Sequence, residues 1–167
     1  MKAIFNLFWQ ICLLRQSPAA VPANGPFVAA VVLANLLCSI LVSSSFGSEV
    51  NLLTTSTSII VGQTTTAGLV WIALSWAGKA ERFVTTITAI FGCDLIITAV
   101  FSLLIPLTSA LGSAASSVLL LLFLVWSVAV AGFILHRALE TRFGSGVAMA
   151  LGISLMSVIL GQVAIGA

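Results

Sequence analysis

Five apolar runs, each about as long as a membrane crossing, alternate along this chain with short polar connections. They fall near residues 27–46, 57–78, 84–107, 118–136 and 145–165. A hydrocarbon core of about 30 Å takes roughly 20 residues at helical rise, so each run predicts a spanning helix. The connections 47–56, 79–83, 108–117 and 137–144 leave no stretch for a soluble domain. The expected fold is an all-α polytopic membrane helix bundle, a single integral membrane domain over residues 1–167.

Ahead of the first run, Lys2, Asn6 and Gln10 recur every fourth residue among Ile4, Phe5, Leu7, Phe8, Trp9, Ile11 and Leu13. That spacing gives a helix with a narrow polar stripe, too short to cross. Over residues 1–16 it predicts an interfacial helix, or one packed on the cytoplasmic end of the bundle. Pro18, Pro22 and Pro26 then end the helix and turn the chain into the first span. Lys2, the apolar stretch and Ala20-Val21-Pro22-Ala23 also imitate a signal peptide. Asn6, Gln10 and Arg15 interrupt that pattern, and cleavage would reverse the sidedness of every later loop.

Composition agrees with the runs. Hydrophobic residues make up 60% of the chain and charged ones 6%, against about 25% charged in a typical soluble domain. So little charge cannot cover a water-facing surface, so lipid is the expected solvent. All six cations, Lys2, Arg15, Lys79, Arg82, Arg137 and Arg142, fall before the first span or in the second and fourth connections. The positive-inside rule therefore puts the N-terminus in the cytoplasm and the C-terminus in the periplasm of an inner membrane. Six scattered cations form no basic stripe, which excludes nucleic acid as a partner.

Asp94 is the one acidic residue inside a span. At about 15 Å into the third run it costs on the order of 3 kcal/mol if charged, so it is expected to face the bundle, neutral or paired. Asn35, Gln63, Thr66 and Ser127 lie at similar depth on other runs. Thr64, Thr65, Ser154 and Ser157 are further candidates, and Thr98 and Ser102 share a helix face with Asp94. Asp94, Asn35, Gln63, Thr66, Thr98 and Ser127 are the predicted midplane polar cluster. Such a layer either holds helices in register, each bond worth about 0.6 kcal/mol, or handles a proton or cation.

Other chemistry is sparse. Cys12, Cys38 and Cys93 have no paired spacing, so no metal, cofactor or disulfide framework is expected. Cys12, near the interface, is the one residue placed for lipid attachment. His136 is the only histidine and reads as a helix-end group near the last carbonyls. No nucleophile elbow, metalloprotease helix or phosphate loop appears, so no catalytic residue is assigned and no enzyme is expected. Gly146, Ala150 and Gly161, Ala148 with Gly152, Gly62 with Thr66, and Thr64 with Gly68 read as close-approach faces. Glu81, Arg82, Glu140 and Arg142 read as solvated loop charges.

The layout, with the segments LLRQSPAAVPAN (13–24) and RFVTTITAIFGCD (82–94) and the later LLIPL (103–107), resembles the Yip (Ypt-interacting protein) domain family, in particular its small bacterial members. That resemblance implies a five-span inner-membrane protein and carries over no catalytic residue. The chain has no tyrosine, and so lacks the Tyr-Gly-Pro-type motif of eukaryotic members; a small GTPase partner is not expected. The leading expectation is a non-enzymatic accessory subunit, scaffold or assembly factor that contacts lipid and other membrane proteins or itself. The rival is a small transporter or channel using Asp94.

Overall fold

The computed structural model describes residues 2–45, 51–111 and 113–166, with backbone alone for residues 2, 3, 45, 105–111 and 113–115. Glu49, and the side chains of Lys2 and Pro106, lie outside what is described. Six α-helices follow one another: α1 Lys2–Cys12, α2 Gly25–Ser45, α3 Leu52–Trp76, α4 Phe83–Leu111, α5 Ser113–Leu139 and α6 Phe143–Ala164. The last five are long and apolar enough to cross a membrane. There is no strand among the described residues.

The helices are longer than the runs that announce them. Asn51 accepts a hydrogen bond from the Leu53 amide and caps α3, which therefore begins inside the stretch expected as a connection. Thr55 and Thr57 donate to carbonyls four residues back, which satisfies hydroxyls that hydropathy alone penalises. The expected loop 108–117 is likewise helical on both sides of Gly112.

The main contacts between spans run in the order α2, α3, α6, α5, α4 and back to α2, a ring across which α3 also touches α4. Their outer faces stay apolar. Leu33, Leu37 and Leu41 on α2, Leu121, Leu122 and Val125 on α5, and Leu155, Ile159 and Val163 on α6 are all exposed. Apolar faces this extensive, on helices this poor in charge, belong against lipid. The protein is a membrane protein.

Helix α6 closes the ring with small residues. Gly146, Ala150, Ser157 and Gly161 are its buried positions, spaced four, seven and four apart, a single seam. Gly146 lies against the Gly132 carbonyl and His136 of α5, and Gly161 against Ser58 of α3. The other expected faces stay open: Gly152 and Gly68 have nothing in reach of an added Cβ.

Helix α1 sits against the outside of the ring, packed on α4 and α5. Of the two placements the sequence allows, packing against the bundle is the one described, though on its flank. Phe8, Ile11 and Cys12 are buried, and the Phe8 ring fills the space that Gly92 leaves on α4. Cys12 Sγ donates to the Cys93 carbonyl, Cys93 Sγ to the Phe8 carbonyl, and Trp126 Nε1 to the Cys12 carbonyl at 2.9 Å. Cys12 is thus enclosed by protein and closed to lipid attachment, contrary to its expected place near the interface. Ile4, Phe5 and Leu13 remain exposed on the helix's other side.

At the charged end Glu140 is exposed, as expected, and in addition pairs with Lys79 at 2.5 Å and Arg82 at 2.8 Å. Lys79 Nζ also donates to the Leu139 carbonyl and Arg82 to the Ala138 carbonyl, capping the last turn of α5. The α3–α4 and α5–α6 connections are thereby clamped together. Three helices end with an amide reaching five residues back around a left-handed residue: Leu14, Gly78 and Glu140.

Gly146→Ala forces a Cβ within 3.0 Å of the Gly132 carbonyl oxygen, backbone against backbone. It should cost about 1–3 kcal/mol of stability, whereas Gly152→Ala should cost nothing. Thermal unfolding in detergent checks the pair, and equal shifts would contradict the seam. Lys79 and Arg82 hold the Glu140 carboxyl below its ordinary value of 4.5. A depressed carboxyl contributes stability above its unfolded value and loses it as pH falls through the folded one. The melting temperature of Glu140→Gln should therefore lie below wild type at pH 7 and converge with it in acid, an effect that added salt reduces.

Candidate functional site

The ring encloses a cavity of about 390 Å³ walled by all five spans. Its depth follows from helix geometry. Asn35, Thr66, Asp94, Ser127 and Ser154 each lie roughly ten to twelve residues, about 15–18 Å, from the charged end of their helix. Five antiparallel helices thus present polar side chains at one level, halfway across. Asp94, Gln63, Thr66 and Ser127 of the expected cluster line this cavity, joined by Ser154 and Ser157.

Asp94 is packed on most sides, and the part of its surface left open lies on this space. No Lys, Arg or His pairs with it among the described residues, whose ion pairs are confined to Glu140. Asn35 is fully buried behind it, and its carboxamide approaches the Asp94 carboxyl. Neither Asn35 Nδ2 nor Oδ1 stands in hydrogen-bonding geometry with any described group. A buried amide without partners costs about 1–3 kcal/mol, so Asn35 and Asp94 together form a polar site with unused bonding capacity.

The walls differ from end to end. Toward the uncharged end, Ser58 and Gln162 form the rim, and Gln162 is exposed. Toward the charged end, Val70, Ile134, Leu135 and Ala150 close the floor, each at most 2% exposed. Between them, Thr66 Oγ1 donates to the Gly62 carbonyl at 3.0 Å, so Ser157 Oγ supplies the proton of their 2.8 Å bond. That bond ties α3 to α6 at the level of the acid and is worth about 0.6 kcal/mol.

A second, lateral crevice of about 250 Å³ lies between the outer halves of α4 and α5 and shares Asp94, Ile97 and Ser127 with the cavity. Thr98 belongs to this crevice alone, so it shares a face with Asp94 as expected without reaching the axial space. Ser102 is engaged locally, donating to the Ala99 carbonyl. Thr64 points outward and donates to the Ile60 carbonyl.

Sequence reasoning missed Ser39, Ser58 and Gln162 on the cavity wall. The last two were within reach: 58, 62, 66 and 70 form one face of α3, and 154, 158 and 162 one face of α6. It also missed that Cys12 and Cys93 meet.

At the charged end, a further concavity is lined by Arg82, Arg137, His136 and Glu140, but these groups engage one another or nearby groups. Arg82 pairs with Glu140, Arg137 lies over the Phe133 ring, and His136 Nδ1 donates to the Thr141 carbonyl. Among the described residues, no three His, Cys, Asp or Glu gather as metal ligands. No family model matches the chain, and no curated protein or solved structure matches it.

Proposed function

We propose that this protein is a small non-enzymatic carrier that takes up a proton or cation at Asp94 inside the ring. The observation that carries this reading is a carboxyl without a cationic partner, set in the wall of a 390 Å³ cavity that every span helps to line. A charged carboxylate at midplane depth is tolerated only when something compensates it. Among the described residues no Lys, Arg or His pairs with Asp94, and Lys79, Arg82, Arg137 and Arg142 lie at the far ends of their helices. Compensation must therefore come from what enters the cavity.

An accessory or scaffolding role ranks second. It drew support from small-residue faces, but Gly146, Ala150 and Gly161 are used inside the fold. Ala148 and Gly152 remain exposed for a neighbouring helix. The charge asymmetry supports a cytoplasmic charged end in a bacterial inner membrane, with the cavity rim facing the periplasm. The Yip-like layout supports the same placement and supplies no residue role.

Reconstitution into liposomes with a trapped pH dye, under imposed proton, Na⁺ or K⁺ gradients, tests the carrier reading. Wild type should conduct protons or exchange them for a cation, and Asp94→Asn should fall to the level of protein-free vesicles. The melting temperature of Asp94→Asn should match or exceed wild type, because a neutral amide is cheaper to bury than a carboxylate. Equal flux from the two proteins, or none from either, overturns the reading in favour of the accessory role.

A further inference from the structure

The size and approaches of the Asp94 site narrow its occupant, on the reading that Asp94 takes up a cation. A cavity of about 390 Å³ would hold roughly a dozen waters at about 30 Å³ each. It falls within the range of pockets that take small organic molecules, about 300–1,000 Å³. A bare proton or alkali ion does not need that room. Among the described residues one acid faces the space, which suits an occupant with one positive charge.

The walls beside the acid are chiefly apolar. Ile90, Phe91 and Ile97 flank Asp94 on its own helix, and Val130 and Ile153 come from α5 and α6. Gln63, Thr66, Ser127, Ser154 and Ser157 put polar atoms among these apolar side chains, so the lining offers an occupant both kinds of contact. An ammonium group on an apolar body gains from both parts, with its head against the carboxylate and its body against the walls.

The lateral crevice supplies the route. Beyond Asp94, Ile97, Thr98 and Ser127 it is lined by Phe101, Leu120, Phe123 and Leu124. Leu120 and Leu124 belong to the exposed apolar band, so the crevice starts at the lipid. A molecule that partitions into the bilayer reaches the acid this way; a hydrated ion does not.

We propose that the site takes a monovalent amphiphilic organic cation, an arylalkyl or alkyl ammonium, which enters from the lipid between α4 and α5 and exchanges for the proton of Asp94. The step balances in charge: the protonated carboxyl releases H⁺ to water through the Ser58–Gln162 rim as the ammonium forms an ion pair with the carboxylate. No covalent bond forms or breaks apart from the O–H bond of the acid.

The test uses 4-phenylbutylammonium and its neutral counterpart 4-phenylbutanol, measured by equilibrium binding to the full chain in lipid nanodiscs, with empty nanodiscs as the partition baseline. The ammonium should saturate at one per protein and release about one proton in weak buffer. The alcohol should bind at least about tenfold more weakly, since it carries no charge to pair with the carboxylate. Asp94→Asn should bind both compounds alike. Equal binding of the two by wild type overturns the proposal and indicates a merely greasy cavity. No binding of either, with Asp94-dependent proton flux intact, overturns the proposal alone and leaves the carrier reading standing. Loss of both flux and binding overturns both.

Discussion

Hydrocarbon offers a polypeptide no hydrogen-bond partners and no counterions, and the structure answers both shortages. The backbone answers the first by running in helices whose amides and carbonyls pair internally. Hydroxyls inside the spans follow the same rule: Thr57, Thr64, Thr88 and Ser127 all donate to carbonyls of their own helix. The charged residues answer the second shortage by collecting at one end, where Lys79, Arg82 and Glu140 compensate one another. Asp94 is the exception. It carries the single titratable oxygen pair that the fold places at mid-depth without a cation, and the cavity is the space that this exception faces.

The ring depends on what surrounds it. Gly132 and Gly146 let α5 and α6 meet backbone to backbone, and Gly161 does the same for α6 and α3. Bulk at these positions would spread the helices and change the enclosed volume. From outside, α1 braces the stretch of α4 next to the acid, with Phe8 against Gly92 and the two thiols bonded to opposing carbonyls. The residue before Asp94 is thus held from two sides, and the terminal helix acts on the site through packing.

The spans were legible because their signal is local: about 20 apolar residues between cations needs no partner to be recognised. Asp94 was legible for the same reason, as a carboxyl counted along one helix. Asn35, Thr66 and Ser127 could be counted to a similar depth along their own helices in the same way. What could not be read was which helix neighbours which, since the ring order pairs α3 with α6 and α2 with α4. The Thr66–Ser157 bond, the Cys12–Cys93 meeting and the Glu140 clamp all join residues more than fifty positions apart. The missed boundary of α3 differs in kind. Asn51 and the threonines after it looked like a loop by hydropathy, and their side chains instead cap and satisfy the helix.

Whether water reaches the ring interior is decided most directly by thiol labelling. A membrane-impermeant methanethiosulfonate, added from the side that the cavity rim faces, is compared on Gln63→Cys, Ser154→Cys and Leu155→Cys, with wild type as the baseline. Gln63 and Ser154 line the cavity, and Leu155 is exposed on the outer face of the same helix as Ser154. Because the reactive thiolate forms only in contact with water, the first two should label at least about tenfold faster than the third. Labelling that fails at Gln63 and Ser154, or proceeds equally at Leu155, would contradict a wet cavity at Asp94.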